Sequence, residues 1–214
     1  MKITKGQLAA IIIVCVVLID QLLKIWVKTN FFYGEEYVIT DWFRLYFIEN
    51  NGMAFGMELG SKLLLTLFRL VAVILFVYYI YRIKDKTSYH TGFIVCISFI
   101  TAGALGNLID CIFYGIAFDN PIPPLTATFL PENGGYGTLF HGRVVDMLYF
   151  PLVEWNWPDW LPIIGGEHFI FFQPIFNFAD AALSVGVILL IMFYSKFFYI
   201  KETDCENLEC YEKK

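Results

Sequence analysis

Four apolar runs divide the chain, at about 8–27, 63–83, 92–114 and 175–200. Each approaches the roughly 20 residues a helix needs to cross a bilayer. The pattern predicts a mainly α membrane protein: four transmembrane helices in a single integral membrane domain over 1–214. Polar interruptions fall at few places. Asp20 and Lys24 stand in the first run, and Arg69 lies near the start of the second. Gly103, Gly106, Asn107 and Asp110 recur at helical spacing in the third. Asn177 and Asp180 stand at the head of the fourth. The first run could pass for a cleaved signal peptide, because Lys2 and Lys5 precede it. It continues as Asp20-Gln21-Leu22-Leu23-Lys24, with no small-residue cleavage site, so a retained helix is expected.

Two connections are long, 29–60 and 115–174, and both are rich in aromatic residues: Trp42, Phe43, Tyr46 and Phe47 in one, Trp155, Trp157 and Trp160 in the other. Aromatic rings favour the headgroup zone. These stretches are expected to lie on the membrane or to pack as small β elements, with Leu45-Tyr46-Phe47-Ile48 and Val144-Val145 reading as strands. The Pro- and Gly-rich segment 117–140 reads as a loop without regular structure.

Charge sets the orientation. Basic residues cluster at Lys2 and Lys5, at Arg82, Lys84 and Lys86, and at Lys196 and Lys201. The connection 115–174 has Arg143 as its one base, against six acids. Short basic elements stay cytoplasmic. Both termini, including a tail at 201–214, are therefore expected inside and both long connections outside. Arg69 fits this least well; it would snorkel to the outer interface, or the second helix would begin there. The chain is 58% hydrophobic, above the roughly 45–50% of soluble domains, so a soluble fold would have to hide the excess. A net charge of -5 without a basic stripe argues against nucleic acid as a partner.

The histidines, His90, His141 and His168, are scattered, and no HExxH or Gly-x-Ser-x-Gly pattern occurs. Cys15 and Cys96 read as packing residues. Cys205 and Cys210 lack a CxxC spacing or a neighbouring histidine, which argues against zinc, and no disulfide framework is read.

What remains is carboxylates. An ionisable group at the edge of a hydrocarbon segment is costly and usually persists for a function. Asp146, in Gly142-Arg143-Val144-Val145-Asp146, and Asp180, in Phe176-Asn177-Phe178-Ala179-Asp180, map to the same membrane face. Two carboxylates in close apposition cannot easily both ionise. One could then take a proton from water while the other polarises a carbonyl or protonates a leaving amine, with no metal or cofactor. Plainer readings stay open. Asn177 suits a helix cap, Asp146 an ordinary loop acid, and Asn50-Asn51-Gly52 a turn. Asn107 and Asp110 suit structural hydrogen bonds. Asp20 and Lys24, four apart on one helix face, suit a mutually neutralising pair. A transporter or proton relay would use intramembrane carboxylates too, and a non-catalytic assembly factor would tolerate their loss.

Taken in order, five motifs resemble the lipoprotein signal peptidase (signal peptidase II) family across nearly the whole chain. They are Asp20-Gln21-Leu22-Leu23-Lys24, Asn50-Asn51-Gly52-Met53-Ala54-Phe55, the stretch from Gly103 to Asp110, Gly142-Arg143-Val144-Val145-Asp146 and Phe176-Asn177-Phe178-Ala179-Asp180. The resemblance implies four transmembrane helices with a small periplasmic β cradle. It implies an aspartic endopeptidase of the bacterial inner membrane, cleaving prolipoproteins before a diacylglyceryl-modified cysteine. Its catalytic pair falls on Asp146 and Asp180, and its supporting residues on Asp20, Lys24, Asn50, Gly52, Asn107, Asp110 and Asn177. Membrane lipids are expected partners, no metal is required, and a monomer is expected. The chain departs from the family pattern at Cys111, where arginine is usual, at Met53, where alanine is usual, and in a longer stretch between Asp110 and Asp146. Arg143, three residues before Asp146, is either a solvated residue that keeps the loop soluble or one that enters from the loop and takes over part of the missing arginine's role toward the substrate.

Overall fold

The computed structural model describes residues 3–51, 62–87, 89–193 and 197. Among the described residues, four helices and six strands follow one another: α1 Lys5–Asn30, β1 Glu36–Thr40, β2 Phe43–Asn50, α2 Lys62–Ile83, α3 Thr91–Ala117, β3 Val144–Tyr149, β4 Val153–Asn156, β5 His168–Phe171, β6 Ile175–Phe176 and α4 Phe178–Met192. The backbone divides into two compact units, one of residues 1–21, 66–108 and 179–214, the other of 22–65 and 109–178.

The first unit is helical. α1 opens with a reciprocal cap: the Gln7 N–H donates to Thr4 Oγ1 at 3.2 Å and the Thr4 N–H to Gln7 Oε1 at 3.0 Å. Its core joins Ala9, Ile80, Ile83, Ile94, Ile97 and Ile100. α1, α2 and α3 are long and apolar enough to cross a membrane, and α3 is the most covered by protein. α2 turns Leu64, Phe68, Val71, Ile74 and Leu75 outward, as expected of a helix whose solvent is hydrocarbon. It begins at Lys62, so Arg69 lies inside the helix, half-buried, and does not start it. α3 and α4 touch backbone to backbone. A Cβ placed on Gly103 would stand 2.3 Å from the Ala179 carbonyl oxygen, which is why a small residue is needed there.

α4 departs from the expected fourth span. Ile175 and Phe176 pair with Tyr149 and Leu148 as a strand, so the helix starts only at Phe178. α4 runs 15 residues to Met192, and most of the expected continuation to 200 lies outside the described residues.

The second unit is built on an antiparallel sheet of order β1-β2-β3-β6. The strand-like runs at 45–48 and 144–145 are the middle of β2 and the start of β3. Phe47, Val145 and Met147 meet Val27, Phe31, Tyr114 and Phe118 in its core. The aromatic connection past Asp146 forms a separate hairpin of β4 and β5, with Trp155 opposite Phe169. Segment 117–140 has almost no regular structure, as expected, but it is anchored. It doubles back along the end of α3, donating from Leu130, Tyr136, Gly137 and Phe140 to the carbonyls of Ala117, Phe118, Gly115 and Ile112.

Candidate active site

The sequence candidates fall into two groups, each organised around one aspartate. Asp146 sits in β3, opposite Ile48 of β2, and is 3% exposed. Its Oδ1 accepts from Asn177 Nδ2 at 2.7 Å. The strand leading to it is fixed from below by a fully buried ion pair, Lys24 Nζ to Asp110 Oδ2 at 2.7 Å. That same Asp110 oxygen accepts the Val145 N–H at 3.5 Å. Gly142 permits this geometry: a Cβ there would lie 1.9 Å from the Asp110 carbonyl oxygen. Asn50 ends β2 opposite Val144.

Asp180 occupies the first turn of α4 and is half-buried. Its Oδ1 accepts from Asn107 Nδ2 at 2.7 Å. A carboxylate in the first turn is also favoured by the positive end of the helix dipole. The turn is capped from another helix: the Ala179 N–H donates to Asp20 Oδ1 at 2.9 Å, and Asp20 is fully buried. Gln21 Nε2 braces the arrangement, donating to Asp20 Oδ2 and to the Gly106 carbonyl, both at 3.2 Å.

Asn177 precedes α4 where a capping residue belongs, and its amide reaches Asp146, while Asp20 accepts an orphan N–H of the helix. Asp20 and Lys24, four apart on α1, each also reach a second element: Lys24 forms a buried ion pair with Asp110 of α3, and Asp20 accepts the Ala179 N–H of α4.

Arg143 is partly exposed, its side chain 32% accessible, but it is tied down by polar contacts. Its Nη1 donates to Glu49 Oε2 at 2.8 Å and to Asn120 Oδ1 at 3.4 Å. Burial pulls its pKa down, but the hydrogen bond and charge of Glu49 outweigh this, so the net shift is upward. Glu49 also pairs with Lys28. Sequence reasoning missed Glu49 and Lys28. The available signal was spacing: Asp20, Lys24 and Lys28 recur every four residues, so one face of α1 carries all three. Cys111 is buried, 3% exposed.

Gly52, with Met53, Ala54 and Phe55, lies outside the described residues, as do Lys196, Lys201, Cys205 and Cys210. Among the described residues no three His, Cys, Asp or Glu side chains group as metal ligands.

Asp146 and Asp180 each accept an asparagine amide, a donor that orients a carboxylate without adding charge, and Asp110 accepts from a lysine.

Comparison with known proteins bears on this directly. Residues 12–196 match the family model described as signal peptidase (SPase) II. A lipoprotein signal peptidase of Porphyromonas gingivalis is 48% identical over 195 residues, covering 91% of this chain and 86% of that protein. One from Amoebophilus asiaticus is 36% identical over 182 residues, covering 82% and 72%. Among solved structures, a bacterial membrane enzyme determined by the in meso method at 2.3 Å superposes with a TM-score of 0.58. It is 26% identical, and the match covers 88% of this chain and 87% of that one.

Proposed function

The chain belongs to the signal peptidase II family, and from that premise we propose that Asp146 and Asp180 are its catalytic pair. As a member it is an aspartic-type endopeptidase of lipoprotein processing, removing the signal peptide of a prolipoprotein before its diacylglyceryl-modified cysteine. The observation that carries the assignment is the parallel holding of the two aspartates. Each accepts an asparagine amide at 2.7 Å, from Asn177 and from Asn107.

In this reading one carboxylate is ionised and takes a proton from the attacking water. The other is protonated, polarises the scissile carbonyl, and later donates to the leaving amine. The step consumes one water and returns both carboxyl groups to their starting proton count between them. Asn107 and Asn177 orient the acids. Asp20 holds the turn that carries Asp180. Lys24 and Asp110 hold the strand that carries Asp146. Asn50 and Arg143 support the site from the sheet side, and Gly52 belongs to the same sequence motif as Asn50.

We place the protein in the bacterial cytoplasmic (inner) membrane as a monomer, with residues 1–214 as one integral domain. α1 and α3 each run through both compact units, which supports a single domain. α4 belongs to a fourth span, both termini are cytoplasmic, and the β1-β2-β3-β6 sheet is a periplasmic cradle. The substrate's apolar signal helix and its lipid both arrive through the bilayer, so an outer-face site leaves the lipid in hydrocarbon while water reaches the peptide bond.

The test is purified protein in detergent with lipidated and unlipidated prolipoprotein. Asp146→Asn and Asp180→Asn each abolish cleavage of the lipidated substrate while the protein stays folded, and a chelator leaves the wild type active. Substantial cleavage by either folded variant would rule out the aspartic pair.

A further inference from the structure

The fourfold spacing on α1 ends at Lys28, in a cluster of which the catalytic proposal uses only Arg143. Glu49 accepts from Lys28 on one carboxylate oxygen and from Arg143 on the other. Its side chain is 3% exposed and that of Lys28 is 2%. Aromatic rings close the cluster. Lys28 Nζ lies 5.3 Å from the ring centroids of both Phe118 and Tyr136, and the Arg143 guanidinium is 4.9 Å from Tyr136. The Tyr136 hydroxyl also accepts the Arg143 backbone N–H at 2.7 Å, so Arg143 is gripped by main chain and side chain together.

Two cations on one buried carboxylate are a poor way to gain stability. Desolvation of the charges consumes most of the attraction, and apolar residues of equal volume often do as well or better. What such a cluster supplies is a fixed geometry. The sheet shows where one is needed. β2 and β3 pair as Arg44 with Tyr149 and Leu45 with Leu148, and then the register shifts. Pairing resumes with Ile48 opposite Asp146, Glu49 opposite Val145 and Asn50 opposite Val144. The irregularity stands between the well-paired end of the ladder and Asp146, so the register at Asp146 is not inherited from that end. A one-residue slip would turn the aspartate to the other face of the sheet. Glu49 and Arg143 tie the two strands together on the Asp146 side of the irregularity, and Lys28 ties that junction to α1.

We propose that Glu49, held between Lys28 and Arg143, is a positioning residue that sets the β2–β3 register and so aims the Asp146 carboxylate. The inference rests on Asp146 being catalytic. It also reassigns Arg143: the side chain acts through Glu49 on the strand, and not by contact with substrate. The two roles separate kinetically, because a misaimed acid lowers kcat and a lost substrate contact raises KM.

The experiment measures kcat and KM on lipidated prolipoprotein for four variants in detergent, each first shown to be folded. Arg143→Ala is the informative one, since it leaves Glu49 paired with Lys28 and creates no unpaired buried charge. It is expected to lower kcat about 10–100-fold, the usual effect of about 1 Å of misplacement, with KM within twofold. Arg143→Lys recovers part of the loss because it keeps the charge but not the fork of donors. Glu49→Gln lowers kcat in the same way. Asp146→Asn is run beside them. If it is inactive while Arg143→Ala and Glu49→Gln keep full kcat, the positioning role is overturned and the catalytic reading stands. A raised KM with intact kcat in Arg143→Ala overturns it in favour of a substrate contact. If Asp146→Asn itself cleaves normally, the catalytic reading fails and this inference with it.

Discussion

Gly103→Ala tests the link between helix packing and the Asp180 carboxyl. The added Cβ would stand 2.3 Å from the Ala179 carbonyl oxygen, 2.8 Å from Leu183 Cβ and 2.9 Å from the Leu183 nitrogen. A carbon and a carbonyl oxygen approach no closer than about 3.3 Å without strain, so the first turn of α4 has to retreat by about 1 Å. Two of the three clashing atoms are backbone, and no rotamer change relieves them. The retreat acts on a sensitive contact. Asn107, one turn beyond Gly103, holds Asp180 at 2.7 Å, and a 1 Å retreat carries that pair to about 3.7 Å, outside hydrogen-bond range. Overpacking of this kind costs about 1–3 kcal/mol. An acid misplaced by about 1 Å loses on the order of 100-fold in rate. The assay is kcat on lipidated prolipoprotein, with thermal unfolding in detergent followed in parallel. Gly137→Ala is the control, since a Cβ there meets nothing closer than 3.6 Å. Wild-type kcat and wild-type unfolding in Gly103→Ala would refute the claim that the α3–α4 contact sets the position of Asp180.

Two further outcomes are expected. In a variant lacking the native cysteines, a single cysteine at position 134 reacts with an impermeant thiol reagent in intact cells and one at position 85 does not. The reverse labelling would invert the proposed orientation. Burial raises the Tyr136 phenol far above its ordinary 10.0, against the opposing hydrogen bond from the Arg143 N–H. The folded state therefore keeps a proton that the unfolded chain releases above about pH 10, so the stabilisation is complete below that pH and is lost as pH rises past it. Thermal stability should fall from about pH 10 upward, more gently in Tyr136→Phe, and equal slopes for the two proteins would contradict this role.

The sequence by itself determined the helices and the chemistry they carry. Hydrocarbon has no hydrogen-bonding capacity, so a membrane segment must be apolar and long, and that need is written residue by residue in α1, α2 and α3. The same cost makes Asp20, Lys24, Asp110 and Asp180 conspicuous, because a charge in such a run needs a partner or a function to offset it. Strand identity at 45–48 and 144–145 was local in the same sense.

Partnership was not local. The four-residue spacing of Asp20 and Lys24 gave no hint that Lys24 would also meet Asp110 of α3 or that Asp20 would accept from the α4 turn. The cap position of Asn177 gave no hint that its amide would hold Asp146. Ile175 and Phe176 continued an apolar run on paper and were drawn into the sheet by β3. Glu49 carried no signal in the sequence, and Lys28 and Arg143 converge on it from residues 21 before and 94 after. Which donor meets which acceptor depends on how helices and strands pack, and no spacing within one segment encodes it.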